Sequence, residues 1–543
     1  MLHQRFVLVV CFCMGLFVAC GCLGQITGVP PLNLAITNLA NGSFTISGSG
    51  VPGDTYGLEF ADNLTQTNWQ MLRLTNADPT GFFMFLDSDD SPKRFYRAVL
   101  TNILTSFSPT NIPGMAYYWD FRDLPYNVAT TGWTDRLQNA VLTNYNPSIF
   151  NPTNSALGLM LPNSGSDSDS LTTPTIAIGS NFTLWMVIRE RLNLQHDSVP
   201  KYACLFGASG GPYGLMLSNG VIGCDWGNAT GTIGGVMMSN WPIDLVYSQG
   251  QVYTNGVALN GALPQPTNAF QFQTVGDIVP GGTGHNPAPF QGYIQYIGIW
   301  TNTLFSAADV SNLDAWVNTN GVSNITGGLT AWWKMNDAAG ETVFDSTGNG
   351  FAGSITGGQT WLDTAPTGGG LSFNGSTFVL TSLTNGPGLS SNFTVAYWMQ
   401  QPHDSTYPQQ IPIAKAQRVA NSPGWSAWLE SAWMRMTSFD GTYWIEMNDQ
   451  DIVTDGRWHL IIWTMGANPN IVAQYNDGEL QIAGVQFTGA VGNCANTNPV
   501  TFGSSQGGYT PFYTGALADA RVYTNHVFTA QEAALLFRWR GQP

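Results

Sequence analysis

The stretch from Leu329 to Gly350 decides how the rest of the chain is interpreted, and it reads LTAWWKMNDAAGETVFDSTGNG. Its first part is apolar and aromatic, which is typical of a strand that packs into a core. A glycine turn, a short strand ending at Phe344 and a tight loop of Asp, Ser, Thr, Gly and Asn follow. Strand, turn and loop in this order predict the opening of a β-sandwich.

A second stretch of the chain repeats this pattern more weakly. Matching segments occur in the same order at 114–121 and 328–335, 134–139 and 344–349, 181–185 and 392–396, 253–256 and 475–478, and 292–302 and 515–525. The spacing between partners changes only by loop-sized amounts. Ordered matches of this kind predict a duplicated domain, with copies at residues 113–318 and 327–541.

The composition favours an all-β chain. With 62 Gly and 30 Pro, turns are frequent and helices few. Within each copy, short strands alternate with turns, and one helix closes the copy. In the second copy this helix is predicted to start at Thr529, three residues before Glu532, in a capping pattern. Ser306 marks the counterpart in the first copy.

Residues 26–103 are predicted to form a separate small module. Two alternating strands with Asn-Gly between them indicate a hairpin, and further short strands follow. The segments GDTYGLE and RFYR resemble those of short, fibronectin type III-like β-sandwich modules of secreted bacterial proteins. That resemblance implies a spacer or adhesive role.

The charge of the chain excludes one class of partner. The sequence has 34 acidic and 18 basic residues, for a net charge of −16. An acidic surface repels nucleic-acid phosphates, so we predict no nucleic-acid partner. Cations and neutral sugars are compatible with such a surface, although the acidity can also serve solubility alone.

Residues 1–24 have the pattern of a signal peptide. A weakly basic start precedes an apolar run from Phe6 to Ala19, and cleavage is expected before Gln25. The run is short for a membrane span. The alternative is a bacterial lipoprotein signal, in which Cys20 carries a lipid anchor. In either case we predict a secreted or cell-surface protein, and attachment to the membrane is expected only in the lipoprotein alternative, through Cys20.

Three cysteines lie outside that segment. Cys204 and Cys224 flank a predicted hairpin and are the candidates for a disulfide in an oxidising compartment. Cys494 is predicted to be a buried thiol. No Cys-x-x-Cys pair occurs among them, so the sequence predicts no zinc or redox site.

The second copy resembles the laminin G-like, concanavalin A-like jelly-roll family. The resemblance rests on the opening strand with Trp333 and on the segments 343–353, 371–375, 392–395, 455–459 and 519–523. The first copy matches with more substitutions. The resemblance implies two antiparallel sheets packed face to face. The predicted fold class is all-β, with two tandem concanavalin A-like jelly-roll β-sandwiches preceded by a small β-sandwich module.

The resemblance also implies a structural calcium in the second jelly roll. Many jelly rolls of this type hold calcium between an early loop and the final strand, and the corresponding residues are Asp345, Asn349 and Asp519. Oxygen ligands of this kind suit calcium. The alternative is that Asp345 and Asn349 only stabilise an Asx-type turn. In the first copy Tyr296 aligns with Asp519, so calcium is less expected there.

Aromatic residues of the second copy are the candidates for ligand binding. Trp425, Trp428 and Trp444 stand close to Arg435 and Glu446, and indole rings combine apolar faces with a polar edge. Exposed rings of this kind would suit sugar stacking. The alternative is that these tryptophans belong to the core, as large apolar residues at strand period often do.

No catalytic site is predicted. Glycosidases need two carboxylates facing the scissile bond, and the chain lacks the spacing Glu-x-Asp-x-x-Glu of laminarinase-like jelly rolls. Motifs of zinc proteases, serine hydrolases and phosphate loops are also missing. We predict a non-catalytic binding or adhesion protein that recognises glycans or extracellular proteins. Spacer modules without a ligand and a glycoside hydrolase with an atypical acid pair are the alternatives.

Overall fold

The computed structural model describes most of the chain beyond the predicted signal segment. Residues 1–24, including Cys20, lie outside the described residues. The described segments are 33–38, 44–49, 55–61, 70–76, 82–87, 95–100, 107–162, 170–190, 202–208, 214–218, 221–227, 229–233, 242–276, 288–319, 325–337, 339–363, 365–384, 392–401, 409–416, 423–430, 433–467, 470–481, 485–487, 493–505 and 512–539.

The chain divides into two compact units, and the first ends at Ser108. Its strands are β1 (Asn33–Asn38), β2 (Phe44–Ser49), β3 (Thr55–Ala61), β4 (Gln70–Asn76), β5 (Phe82–Asp87) and β6 (Phe95–Leu100). They form two antiparallel sheets of three strands, in the orders β1-β2-β5 and β4-β3-β6. Ile46 and Phe85 from one sheet and Leu58 and Tyr96 from the other are buried.

The second unit begins at Pro109, and its first part is a sandwich closed by a helix. Short 3₁₀ turns span Pro109–Asn111 and Phe121–Asp123. The remaining elements of this first sandwich are β7 (Met115–Asp120), β8 (Gly132–Thr134), β9 (Val141–Asn144), β10 (Thr153–Ser155), β11 (Gly158–Leu161), β12 (Leu171–Gly179), β13 (Phe182–Glu190), β14 (Tyr202–Gly207), β15 (Gly214–Ser218), β16 (Val221–Asp225), β17 (Thr230–Ile233), β18 (Ile243–Ser248), β19 (Gln251–Thr254), β20 (Val257–Ala258), β21 (Phe270–Val275), β22 (Ala288–Pro289), β23 (Gly292–Thr301) and α1 (Ala307–Thr319).

The second part of this unit is a second sandwich, again closed by a helix. Its elements are β24 (Leu329–Trp333), β25 (Thr342–Val343), β26 (Gly353–Thr356), β27 (Thr360–Leu362), β28 (Gly370–Asn374), β29 (Phe378–Thr381), β30 (Asn392–Gln400), β31 (Ile413–Ala414), β32 (Gly424–Glu430), β33 (Trp433–Phe439), β34 (Trp444–Ile452), β35 (Trp458–Ala467), β36 (Asn470–Asn476), β37 (Glu479–Gln481), β38 (Val485–Phe487), β39 (Thr501–Phe502), β40 (Thr514–Thr524) and α2 (Ala530–Trp539).

The two sandwiches share one strand order. In the first, an eight-stranded sheet has the order β10-β11-β23-β13-β18-β19-β20, with β7 on β23. In the second, the order is β27-β28-β40-β30-β35-β36-β37, with β24 on β40. The facing sheets run β8-β9-β12-β21-β14-β15-β16-β17 and β25-β26-β29-β39-β31-β32-β33-β34-β38. These orders correspond except for β22, which pairs with β14 in the first sandwich, and β38, which pairs with β34 in the second, and this agreement supports the predicted duplication.

The core of the second sandwich lies between its two sheets. Trp333, Val395 and Trp463 from the eight-stranded sheet meet Trp425 and Phe502 from the nine-stranded sheet. Strand β30 is buried almost throughout because both of its faces are covered, one by this core and the other by α2. A continuous apolar run such as NFTVAYWM is expected of a strand covered on both sides.

Each closing helix starts at the predicted capping residue. The amide of Glu532 donates to the Thr529 hydroxyl (3.2 Å), and the amide of Thr529 donates to the Glu532 carboxylate (2.8 Å). Such reciprocal bonds satisfy amides that a helix start leaves without partners. Ser306 and Asp309 repeat this arrangement at α1. The predicted helices after both copies are therefore confirmed.

The helix-covered faces of the two sandwiches contact each other. Leu157 and Tyr293 of the first sandwich belong to the same buried cluster as Phe537 of α2. The Arg189 guanidinium lies 3.1 Å from the Glu479 carboxylate, and both side chains are nearly buried. The second unit therefore has an internal interface of apolar contacts with an ion pair.

The predicted disulfide between Cys204 and Cys224 is wrong. Cys204 lies on β14 opposite Met216, and Cys224 lies on β16 opposite Leu215, so strand β15 separates them. Two strand spacings amount to about 10 Å, which exceeds the roughly 7 Å limit for the Cα atoms of a disulfide. Burial raises the pKa of the Cys224 thiol to about 12. Cys494 is a buried thiol, as predicted.

Neither helix could cross a bilayer. Within the described residues, the structure contains no helix that is both long and apolar enough for this purpose.

Candidate functional site

Strands β32, β33 and β34 form a three-stranded meander in the nine-stranded sheet. Because side chains alternate between faces along a strand, each strand contributes one set to the core and one to the outer surface. The inward set is Trp425, Ala427, Leu429, Met434, Met436, Ile445 and Met447. This apolar layer fixes the meander on the core and leaves its opposite face to carry polar and aromatic groups.

The opposite face of the meander, which we call the tryptophan face, consists of Trp428, Glu430, Arg435, Thr437, Phe439, Trp444 and Glu446. Trp428 pairs in register with Arg435, and Trp444 pairs with Phe439. Trp428 and Trp444 are both half-buried. They are four residues apart along the strands and two strands apart, a separation of roughly 17 Å.

Arg435 and Glu446 lie between these two tryptophans, and Glu430 lies next to Trp428 at the end of β32. The Arg435 guanidinium is 2.7 Å from the Glu430 carboxylate and 3.3 Å from the Glu446 carboxylate. One guanidinium therefore pairs with two carboxylates, so the tryptophan face keeps a local negative charge. The Glu430 partner was missed at the sequence level because the two strands had not been assigned to one hairpin.

Trp425 is not part of this face, so its prediction as a ligand-binding residue is wrong. Its side chain is 1% exposed and stacks with Phe393 at 5.9 Å in the core. Trp425 and Trp428 are three residues apart, and an odd spacing on a strand places two side chains on opposite faces. This parity could have been recognised from the sequence.

The loop that follows β25 is held together by the Asp345 carboxylate. Its oxygens accept hydrogen bonds from the amides of Trp332 (3.0 Å), Thr347 (3.0 Å) and Phe351 (3.1 Å). The Asn349 side chain donates to the Thr330 carbonyl at 2.9 Å. Burial opposes the charge on Asp345, but these N–H donors lower the pKa of its carboxyl. This arrangement is the predicted alternative, an Asx-type turn.

Asp519 lies in β40, which pairs with the opening strand β24, and its carboxylate has other partners. A β-bulge in β40 gives this residue a φ of +47°. Its carboxylate pairs with the fully buried Arg521 at 3.0 Å and accepts from the Trp332 indole. The Arg521 guanidinium lies 4.4 Å from the ring centroids of both Trp332 and Trp539.

Of the three residues predicted to bind calcium, Asp345 and Asp519 both contact Trp332 and Asn349 binds the Thr330 carbonyl, so their groups are engaged in other contacts. The amide of Trp332 binds Asp345 and its indole binds Asp519. Among the described residues, no group of three His, Cys, Asp or Glu side chains is arranged to hold a metal ion. Calcium binding here stays a prediction, and the observed geometry supports the turn.

The first sandwich repeats the turn with different charges around it. Asp135 accepts from the amides of Leu137 (2.9 Å), Asn139 (2.7 Å) and Ala140 (2.6 Å). The Asn139 side chain donates to a strand carbonyl, as Asn349 does. Both copies therefore use this loop as a clasp on the opening strand.

A buried histidine follows Trp458 at the start of β35. The Nδ1 of His459 is 2.9 Å from the Asp477 carboxylate, and its Nε2 is 3.0 Å from the Asp455 carboxylate. Two acceptors at the two ring nitrogens require a doubly protonated ring. Burial disfavours that charge, but the two carboxylates outweigh burial and raise the pKa of His459 to about 9.

Residues 373–534 match the family described as the Concanavalin A-like lectin/glucanases superfamily. This match lies within the second sandwich, whose two antiparallel sheets are the architecture that the resemblance implied. The second sandwich is thus a concanavalin A-like jelly roll. A comparison with curated proteins finds no match.

Several solved structures are similar to part of the chain. The binding domain of Paraclostridial Mosquitocidal Protein 1 shares 14% identity with a TM-score of 0.32, over 39% of this chain and 52% of that one. The receptor binding domain of botulinum neurotoxin D shares 11%, with the same coverage and TM-score. The chain thus spans about half the length of these two structures.

A third similar structure is a complete small domain. Domain 4 of AbnA, a GH43 extracellular arabinanase from Geobacillus stearothermophilus, was solved in complex with arabinotriose. It shares 18% identity with a TM-score of 0.30, over 38% of this chain and 97% of that one.

Proposed function

We propose that this protein is a secreted or cell-surface protein that binds carbohydrate chains without catalysis, through the tryptophan face of its second sandwich. The observation that carries the proposal is that Trp428 and Trp444 lie half-buried on one outward face, with Arg435 and Glu446 between them and Glu430 next to Trp428. Aromatic rings beside fixed hydrogen-bonding groups are typical of sites that bind ligands with both apolar and polar faces.

The charge of the face favours neutral glycans. Arg435 is shared by Glu430 and Glu446, so an anionic sugar would meet a surplus of carboxylate. The separation of roughly 17 Å between the tryptophans suits a chain of several sugar rings better than a monosaccharide.

Among its described residues, the first sandwich offers no equivalent face. Its corresponding strands β15, β16 and β17 read GLMLS, VIGCD and TGTI and contain no aromatic residue. Binding is therefore assigned to the second sandwich, and the first serves as its neighbour in the same compact unit.

The test is a panel of neutral and anionic polysaccharides, with binding measured in calcium and in EDTA. We expect the wild type to bind one or more neutral polysaccharides in both conditions. Trp428→Ala and Trp444→Ala should each weaken binding at least tenfold. Phe344→Ala is the matched control, since Phe344 is 60% exposed near the opposite edge of the same sheet.

Two results would contradict the proposal. The first is a lack of binding to every polysaccharide in either condition, which would favour a spacer role. The second is equal binding by the wild type and both tryptophan variants, which would place the site elsewhere. Release of reducing sugar from the panel would instead support the glycosidase alternative.

A further inference from the structure

Lys415 is a buried cation with an unusual set of partners. Its side chain is 1% exposed. The ammonium Nζ lies 2.7 Å from the carbonyl oxygen of Thr384, 2.6 Å from that of Asn498, and 3.1 Å and 3.3 Å from the carbonyl and side-chain oxygens of Asn496. Four neutral oxygens therefore surround one charged nitrogen.

These oxygens come from the ends of neighbouring strands. Thr384 follows β29, Asn496 and Asn498 precede β39, and Lys415 follows β31, and these three strands are adjacent in the nine-stranded sheet. The side chain of Asn496 also donates to the carbonyls of Lys415 (2.7 Å) and Pro423 (2.6 Å), which brings in the start of β32. One ammonium thus joins four strand ends that are far apart in sequence.

The charge is balanced by dipoles and not by an anion. Within the described part of the chain, Lys415 forms no ion pair with a carboxylate. A buried charge is tolerated only where polar groups replace its hydration shell, and a ring of carbonyl oxygens is also the arrangement by which proteins replace the hydration shell of K⁺. Burial lowers the pKa of Lys415 to about 8, so the side chain is still mainly charged at neutral pH.

We infer that the strand ends around Lys415 form a cation-binding cage for a small monovalent cation, and that the lysine ammonium is its resident occupant. Because the cage contains no carboxylate among the described residues, it does not suit calcium, which prefers several charged oxygen ligands. The corresponding strand of the first sandwich, β14, and the residue after it read YACLFGA and contain no lysine to occupy such a cage. This inference does not rest on the proposed carbohydrate binding.

The test removes the ammonium and offers a replacement from solution. Lys415→Ala leaves the oxygens and a space, whereas Lys415→Met fills the space without a charge. We expect both variants to melt at least about 5 °C below the wild type. Methylammonium or K⁺ should raise the melting temperature of Lys415→Ala. Neither cation should change the melting temperature of Lys415→Met or of the wild type. The reference in each case is the same concentration of tetramethylammonium, which is too large for the cage.

Two results would overturn the inference. One is a Lys415→Met variant as stable as the wild type, and the other is an equal response of both variants to the small cations. If Lys415→Ala does not fold, the test is reductive methylation of the folded wild type, with the modified lysines identified by mass spectrometry. Lys415 must then stay unmodified until the protein is unfolded, while the half-buried Lys334 reacts; equal reaction of the two lysines contradicts the cage.

Discussion

At the scale of single residues, the second sandwich is marked by buried charges that each have specific partners. Arg521 is paired with Asp519, His459 lies between two carboxylates, and Lys415 is held by neutral oxygens. Burying a charge without partners costs several kcal/mol, so the loss of one partner is more damaging than the loss of both. These groups are therefore the places where pH and single substitutions act most strongly.

The histidine predicts how stability depends on pH. The pKa of His459 is raised from 6.5 to about 9, so the folded state holds this proton more tightly than the unfolded state. The resulting stabilisation is fully present below about pH 6.5 and is lost as the pH rises through about 9. At roughly 1.4 kcal/mol per pKa unit, it amounts to about 3 kcal/mol.

Urea unfolding of the wild type and of His459→Gln between pH 6 and pH 10 measures this effect. The free energy of unfolding of the wild type should fall over this range relative to that of the variant. The comparison with the variant removes the contribution of other groups, such as Lys415, that titrate in the same range. Parallel curves for the two proteins would contradict the assignment.

The Asp345 clasp predicts a stability loss that calcium does not reverse. Asp345→Ala removes the acceptor of three backbone N–H groups, and we expect a loss of about 2 kcal/mol. Thermal unfolding in calcium and in EDTA is the measurement. Since the Asp345 pKa is lowered on folding, the wild-type advantage is present above the ordinary carboxyl pKa and shrinks as the pH falls.

Asp345→Asn is the matched control for the clasp, because the amide oxygen can still accept part of the hydrogen bonds. It should lose less stability than the alanine variant. A melting temperature of the wild type that rises clearly with calcium, and an Asp345→Ala variant that no longer responds to it, would support the calcium prediction instead.

At the scale of the element, strand parity separates structural from functional tryptophans. In β32, Trp425 faces the core and Trp428 faces outward, because the two are an odd number of residues apart on one strand. Trp425→Ala should therefore cost about 4 kcal/mol of stability, the usual range for a large aromatic residue in a core. Trp428→Ala should cost less than about 1 kcal/mol while it weakens carbohydrate binding.

Denaturant unfolding and the polysaccharide-binding assay, applied to both variants and the wild type, check this separation of a structural from a binding tryptophan. A Trp425→Phe variant retains most of the buried volume and should recover much of the lost stability. Equal stability losses for the Trp425 and Trp428 alanine variants would show that the outward face is covered in solution.

At the scale of the whole molecule, the two sandwiches form one unit with a shared interface. The Arg189 guanidinium lies 4.8 Å from the Phe537 ring centroid of the opposite sandwich and pairs with Glu479. Both charged groups are nearly buried, so they stabilise the interface only while they remain together. We expect the sandwiches to unfold together.

Glu479→Gln tests this coupling. The substitution leaves Arg189 without its anion, and we expect a loss of about 3 kcal/mol in a single calorimetric transition of the second unit. Glu430→Gln, at a more exposed ion pair, is the control and should cost less than about 1 kcal/mol. Two separate transitions, of which only one shifts, would show that the sandwiches unfold independently.

Much of this architecture was contained in local patterns of the sequence. Alternating apolar residues predicted the strands, the Thr529 and Ser306 caps predicted the helices, and the Asp345 loop predicted a turn. These features depend on residues a few positions apart, so short-range propensities and hydrogen bonds determine them.

Only the tertiary structure decided which distant residues meet. It separated Cys204 from Cys224 by a strand, placed Arg435 between Glu430 and Glu446, and gathered oxygens from Thr384, Asn496 and Asn498 around Lys415. Strand order and register arise from the packing of whole sheets, and a shift of one residue would turn each side chain to the other face. The stretch from residue 329 to 350 predicts the type of fold, but the sites follow from how the sheets are assembled.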